Sequence, residues 1–129
     1  MPHPTPTAIL ALALSVLLLL AGCGPRPTLP ATKPTARYAT AAAVIDGTVY
    51  VIGGVTRGDD GSASGSSSVT TVEAYDPESG TWTRCAPMSV ARAFAAAAAF
   101  HGKLYVFGGL DAAGKATSTA EEYDPRSDA

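Results

Sequence analysis

At 129 residues the chain is too short for more than one ordinary domain. Nine Lys and Arg against eleven Asp and Glu leave a net charge of -2 with no basic stripe, which argues against a nucleic-acid-binding protein. Two His and two Cys are too few for a Cys/His metal centre, and no cofactor motif is present.

The chain opens on an apolar stretch of fourteen residues, 8–21, interrupted only by Ser15. As a helix it would reach roughly 21 Å, short of a bilayer core of about 30 Å, so its length suits the apolar region of a secretory signal. It ends in Leu20-Ala21-Gly22-Cys23. This run resembles the lipobox of bacterial lipoproteins, and the resemblance implies cleavage before Cys23 and lipidation of its thiol. The segment before the apolar stretch, MPHPTPT, carries no Lys or Arg and so departs from that pattern. The alternative is an ordinary secretory signal followed by a chance cysteine. Residues 23–36 contain Pro25, Pro27, Pro30 and Pro34. Proline fixes φ and removes a donor, so they form an extended tether. The resemblance implies a domain held by a lipid on the extracytoplasmic side of a bacterial membrane.

Beyond the tether the chain repeats itself. RYATAAAVIDGTVYVIGG (37–54) recurs as RAFAAAAAFHGKLYVFGG (92–109), with nine of eighteen positions identical. VEAYDPES (72–79) recurs as AEEYDPRS (120–127), with five of eight identical. A repeat of this length is one supersecondary unit copied, giving repeat 1 over 37–91 and repeat 2 over 92–129. Alanine's helix propensity is overruled in 39–43 and 95–99. The second run enters Tyr105-Val106-Phe107 through His101-Gly102, a two-residue turn with room only for a strand. In the first copy the turn is Asp46-Gly47, a strong hairpin signal. Second strands come next at 48–53 and 103–108, rich in β-branched and aromatic residues. They end in Gly53-Gly54 and Gly108-Gly109, where the backbone packs closely or turns. Third strands are expected at 69–75 and 118–123, stopped by Asp76-Pro77 and Asp124-Pro125. Repeat 1 adds an outer strand, Thr81-Trp82-Thr83-Arg84. The Gly/Ser-rich stretch 57–68 is expected to be a flexible surface loop.

The alanine run, the tight turn, Tyr-Val-x-Gly-Gly, Tyr-Asp-Pro and Trp82 together resemble the kelch repeat. The resemblance implies an all-β, incomplete kelch-type β-propeller of about one and a half four-stranded antiparallel blades. Gly53, Gly54, Tyr75, Asp76, Trp82, Gly108, Gly109, Tyr123 and Asp124 are its structural motif positions. The alanine strands would line the central channel, and Trp82 would pack between sheets. Propellers have typically four to eight blades, so the sequence is expected to be part of a longer propeller, with assembly from several chains as the alternative. Cys85 replaces the usual apolar residue and is expected to be buried, or disulfide-linked to Cys23 should that residue escape lipidation.

The function implied is binding of an unknown protein or carbohydrate by a membrane-tethered interaction module. Arg37 and Arg92 fall near loops that carry ligands in the family, or else act as structural arginines bridging blades. Glu73 and Glu121 occupy matching positions and look like repeat features rather than a catalytic pair. No catalytic residue is assigned. The competing readings are a fragment of a secreted kelch-fold carbohydrate enzyme, of mutarotase or oxidase type, and a truncated product without independent function. Arg57-Gly58-Asp59 and Asp59-Asp60 lack the context that would make them an adhesion or calcium motif.

Overall fold

The computed structural model describes residues 35–58 and 63–129. The signal, Cys23 and nearly all of the tether therefore lie outside the described residues. Among the described residues ten strands run in chain order: β1 (Arg37–Tyr38), β2 (Ala41–Ile45), β3 (Thr48–Ile52), β4 (Val55–Thr56), β5 (Ser67–Ser68), β6 (Val72–Asp76), β7 (Thr81–Arg84), β8 (Ala96–Phe100), β9 (Lys103–Phe107) and β10 (Ala120–Tyr123). They form an antiparallel sheet β2-β3-β6-β7, a second antiparallel sheet β8-β9-β10, and a small sheet β1-β4-β5. The two large sheets come from the two repeats and approach each other along β2 and β8. All-β antiparallel blades are thus what the repeats build.

The hairpin turns explain why alanine does not make helix here. Asp46 and Gly47 take φ of 47° and 81°, and His101 and Gly102 take 49° and 76°. These left-handed pairs reverse the chain within two residues, with a twist that matches the flanking strands. Ala41 pairs with Ile52 and Ile45 with Thr48; Ala96 pairs with Phe107 and Phe100 with Lys103.

Alternation along the strands sorts the side chains. One face of the first sheet carries Ala41, Ile45, Tyr50, Ile52, Val72 and Ala74, all buried. The opposed face of the second carries Ala97, Leu104, Val106 and Tyr123, and the two faces make one apolar core with Met88. Tyr50 and Tyr123 meet across it, ring centroids 6.0 Å apart.

Three details differ from the sequence reading. Ser67-Ser68 is strand, pairing Ser68 with Val55, where a flexible loop is expected over 57–68. Residues 59–62 of that loop lie outside the described residues. Trp82 lies on the other face of the first sheet and stacks on Tyr75 within the same sheet, at 4.9 Å and 34°, instead of between two sheets. Arg37 and Thr35 lie over the Glu73 part of that face. Cys85 is only partly buried, packed at the margin of the core.

Candidate functional site

Each blade is closed by an arginine that enters from its first segment. Arg92 Nη1 donates to the Gly108 carbonyl (2.8 Å) and to the Thr119 carbonyl (3.0 Å). Its Nη2 donates to Thr119 Oγ1 (2.7 Å) and Glu121 Oε1 (3.1 Å), and its Nε to Glu121 Oε1 (3.1 Å). The Arg92 side chain is 0% exposed. Its backbone serves the other blade: the Arg92 amide donates to the Val69 carbonyl, and the Arg92 carbonyl accepts from the Gly54 amide. One residue therefore joins both repeats, main chain to the first and guanidinium to the second.

Arg37 repeats the device in the first blade. Nη2 donates to Glu73 Oε2 at 2.8 Å and to the Val51 carbonyl at 3.3 Å, while Nη1 reaches the Thr71 carbonyl at 3.5 Å. Its side chain is 2% exposed. Burial pulls the Arg37 pKa below its ordinary value, with Glu73 opposing that shift and Arg84 adding to it. Geometrically, then, both arginines have their backbones at the loop end and their guanidinia inside the blades, paired with the repeat-related Glu73 and Glu121.

Glu121 holds more than its arginine. Its Oε2 accepts from the Ser89 amide (2.6 Å) and Ser89 Oγ (2.8 Å), and its Oε1 from the Val90 amide (3.2 Å). Burial alone would raise this carboxyl. The bonds from Ser89, Arg92 and Val90 outweigh it and hold Glu121 below the usual carboxylate range. The connection from blade 1 to blade 2 is thereby fastened to the second blade's third strand.

The remaining motif positions are structural in placement. The glycine pairs close β3 and β9, where the Gly53 amide bonds the Thr71 carbonyl and the Gly108 amide bonds the Thr119 carbonyl. Gly54 and Gly109 also take positive φ, 99° and 92°. Asp76 caps its turn by accepting from the Glu78 amide and Ser79 Oγ, which lowers its pKa. Asp124 accepts from the Arg126 amide. The Tyr123 hydroxyl donates to Asp128 Oδ1, which also accepts from the Ala86 amide. Burial, more than that hydrogen bond, pushes the Tyr123 hydroxyl pKa far up.

The end built by β1-β4-β5 adjoins its repeat counterpart, the bridges Ala93–Leu110 and Leu110–Ala116. A groove of about 320 Å³ opens there between Val55, Ser66, Ala93, Phe94, Leu110 and Asp111. Phe94 lines this groove, and Tyr38 lines a second one with Thr35, Arg37 and Arg57. Tyr38 is exposed, with the Arg57 guanidinium 5.8 Å from its ring centroid. Phe94 is 66% exposed. Neither aromatic stands out in the sequence: Tyr38 directly follows Arg37 and Phe94 lies two residues after Arg92, but the repeat counterpart of each is an alanine, Ala93 and Ala39. Among the described residues no group of three or more His, Cys, Asp or Glu could hold a metal ion.

The fold and these fastenings define a class: consecutive blade units of a β-propeller, with four strands in the first and three in the second among the described residues, each locked by a buried arginine paired with a glutamate. The kelch motif matches residues 36–89 and 91–129, and the chain belongs to the kelch-repeat family. It is 35% identical to a kelch-like protein of Aspergillus terreus over 134 residues, covering 88% of this chain and 28% of that protein. It is 46% identical to an F-box/kelch-repeat protein of Arabidopsis thaliana over 74 residues, covering 57% of this chain and 18% of that protein. A kelch-like protein of Mus musculus is 44% identical over 57 residues, covering 44% of this chain and 10% of its own length. The chain thus spans less than a third of each of these curated relatives.

Proposed function

We propose that the chain is part of a larger propeller and works as a protein-interaction module whose contact surface is the β1-β4-β5 end. The observation that carries this is Phe94. It stands 66% exposed on a backbone with φ of 55°. A bulky residue in the left-handed region is strained, and such strain persists only where the surroundings over-determine it. The backbone shape itself is a repeat feature, because Ala39, its counterpart, also takes φ of 55° and its carbonyl accepts from the Phe94 amide. The repeat requires the bend, but nothing in the repeat requires a phenyl ring in water. Together with Tyr38 and the groove, it supplies the kind of exposed aromatic anchor that dominates protein interfaces. The proposal is tested with a photo-reactive residue placed at 94, and at His101 on the opposite end as control. Cross-links to another protein from position 94 and not from 101 are expected. Equal labelling from both ends, or cross-links only to glycan, would overturn it.

The module is further proposed to be tethered through lipidated Cys23. The apolar run 8–21 and Leu20-Ala21-Gly22-Cys23 support this reading. Cys23→Ala should release the protein from the membrane fraction and leave its precursor uncleaved, as read by fractionation and intact mass. Wild-type protein that is processed, soluble and without lipid would refute the tether.

A further inference from the structure

The two blades furnish the same loop-end positions in opposite ways. Tyr38 pairs with Val55 in the small sheet, and Ala93 bridges Leu110 at the matching place in the second repeat. The residues that follow are therefore equivalent, Thr56 with Asp111 and Arg57 with Ala112. In blade 1 the exposed Tyr38 ring has its own cation, since the Arg57 guanidinium lies 5.8 Å from its centroid. In blade 2 the exposed ring is Phe94, and Ala112 stands at the position of that cation. Beside Ala112 the chain places a carboxylate, Asp111, where blade 1 has Thr56. No Lys or Arg of the described residues lies over the Phe94 ring.

The Asp111 carboxylate is fixed by its own turn. Its Oδ1 accepts from the Ala113 amide at 2.9 Å and the Lys115 amide at 2.8 Å, while Oδ2 accepts from no described residue. Asp111 enters no salt bridge among the described residues, and Lys115 meets it through its amide alone without lining the groove. Asp111 and Phe94 line the same groove of about 320 Å³, whose other wall is Val55, Ser66, Ser67 and Ser68 of blade 1. Both walls belong to blades 1 and 2 themselves. An aromatic face attracts a cation through its quadrupole. A carboxylate takes charge-assisted hydrogen bonds, best from a guanidinium. The groove thus holds two groups that suit one cation and supplies none.

We infer that this groove takes an arginine side chain of the partner protein, its guanidinium set between the Phe94 ring and Asp111 Oδ2. The inference rests on the reading of the β1-β4-β5 end as a protein-contact surface and names what that surface selects. Arginine suits the pair better than lysine does. Its guanidinium is planar and weakly hydrated, so it can stack on the ring while its fork meets the carboxylate, whereas an ammonium is a compact, strongly hydrated point charge. Blade 1 makes the stacking half of this contact within the chain, through Arg57 on Tyr38. Blade 2 makes it with the partner.

Amide chemical shifts of the 129-residue chain, titrated with the blocked pentapeptide Gly-Leu-Arg-Leu-Gly, test this. Shifts should concentrate at Phe94 and over 110–114. Citrulline in place of the arginine keeps the shape without the charge and should weaken binding about tenfold. Asp111→Asn keeps the Oδ1 acceptor that closes the turn and should also weaken it about tenfold. Phe94→Ala should weaken it about threefold; should that variant lose its β-sheet circular dichroism, Phe94→Leu replaces it, keeping the bulk without the ring. Ala112→Arg, at an exposed position, supplies within the chain the cation that blade 1 has in Arg57 and should shut the peptide out. Equal binding of the arginine and citrulline peptides, undiminished binding to folded Asp111→Asn, shifts away from the groove or no shifts at all would each overturn the inference. Cross-links from position 94 alongside any of these results would leave the contact surface standing and remove its arginine selectivity, so the two readings fail separately.

Discussion

Arg92→Ala should unfold the protein more readily than any other single side-chain truncation in the described residues. The guanidinium is fully buried and makes five hydrogen bonds, to Gly108, Thr119 and Glu121. Removing one partner of a buried pair costs about 3–5 kcal/mol, because the other polar groups stay buried without compensation. Here the Gly108 and Thr119 carbonyls would lose those donors. Lysine should not rescue, since a point charge on a flexible stem cannot span two carbonyls and a carboxylate as the planar fork does. Arg37→Ala should cost less: its fastening has longer bonds to Val51 and Thr71, and its Nε has no hydrogen-bond partner among the described residues. Urea unfolding at one fixed protein concentration checks the order. Arg92→Ala and Arg37→Ala with equal midpoints, both within about 1 kcal/mol of wild type, would refute the fastening, since typical point mutants already cost that much.

Acid should act through the same contact. Glu121 is held below the usual carboxylate range in the folded chain. Its contribution to stability is therefore complete above the unfolded carboxyl's pKa and is lost as pH falls through the lowered folded value. Glu121→Gln should flatten that part of the stability-pH curve.

How much of this is legible in the sequence varies with how local its cause is. The long strands and both hairpins come from short-range chemistry: Asp46-Gly47 and His101-Gly102 reverse the chain, and the flanking residues are β-branched, aromatic or small. The outer strand β7 falls at Thr81–Arg84, as the sequence reading has it. The small sheet at the loop end does not show itself. Its strands are two residues long, and Ser67-Ser68 has no β preference; Val55 and Thr56 impose the extended form from across the sheet. The Arg–Glu fastenings are half visible. Arg37 and Arg92, and likewise Glu73 and Glu121, stand at matching repeat positions, yet neither set by itself reveals the other as its partner. The seven extra residues of the first loop give the two pairs separations of 36 and 29 residues, so no shared spacing advertises that they meet. Trp82 falls on the expected strand, but which face it occupies against which neighbour is a property of the assembled sheets.

Gly53→Ala should be nearly as damaging as losing Arg92, and for a reason that burial alone would not reveal. A Cβ built at Gly53 would sit 2.3 Å from the Arg92 carbonyl oxygen and 3.1 Å from Met88 Cε. The first is backbone, and it cannot step aside freely, because the same carbonyl accepts the Gly54 amide at 2.7 Å. Relief would require the blade 1–blade 2 connection to move, and that connection carries the Arg92 side chain into its buried partners. The backbone at Gly53 also takes φ of 60°, which costs a residue with a Cβ about 1–2 kcal/mol before any clash. Gly47 separates the two contributions. It too has positive φ, 81°, but a Cβ there would meet nothing within 4 Å. Gly47→Ala should therefore show only the conformational cost of about 1–2 kcal/mol. Gly53→Ala should exceed it by a further few kcal/mol, within the range for strain and overpacking in a fitted core, and should broaden the thermal transition as the two blades uncouple. Equal losses for the two variants in urea unfolding would show that the close approach of Gly53 to Arg92 is not what holds the blades in register.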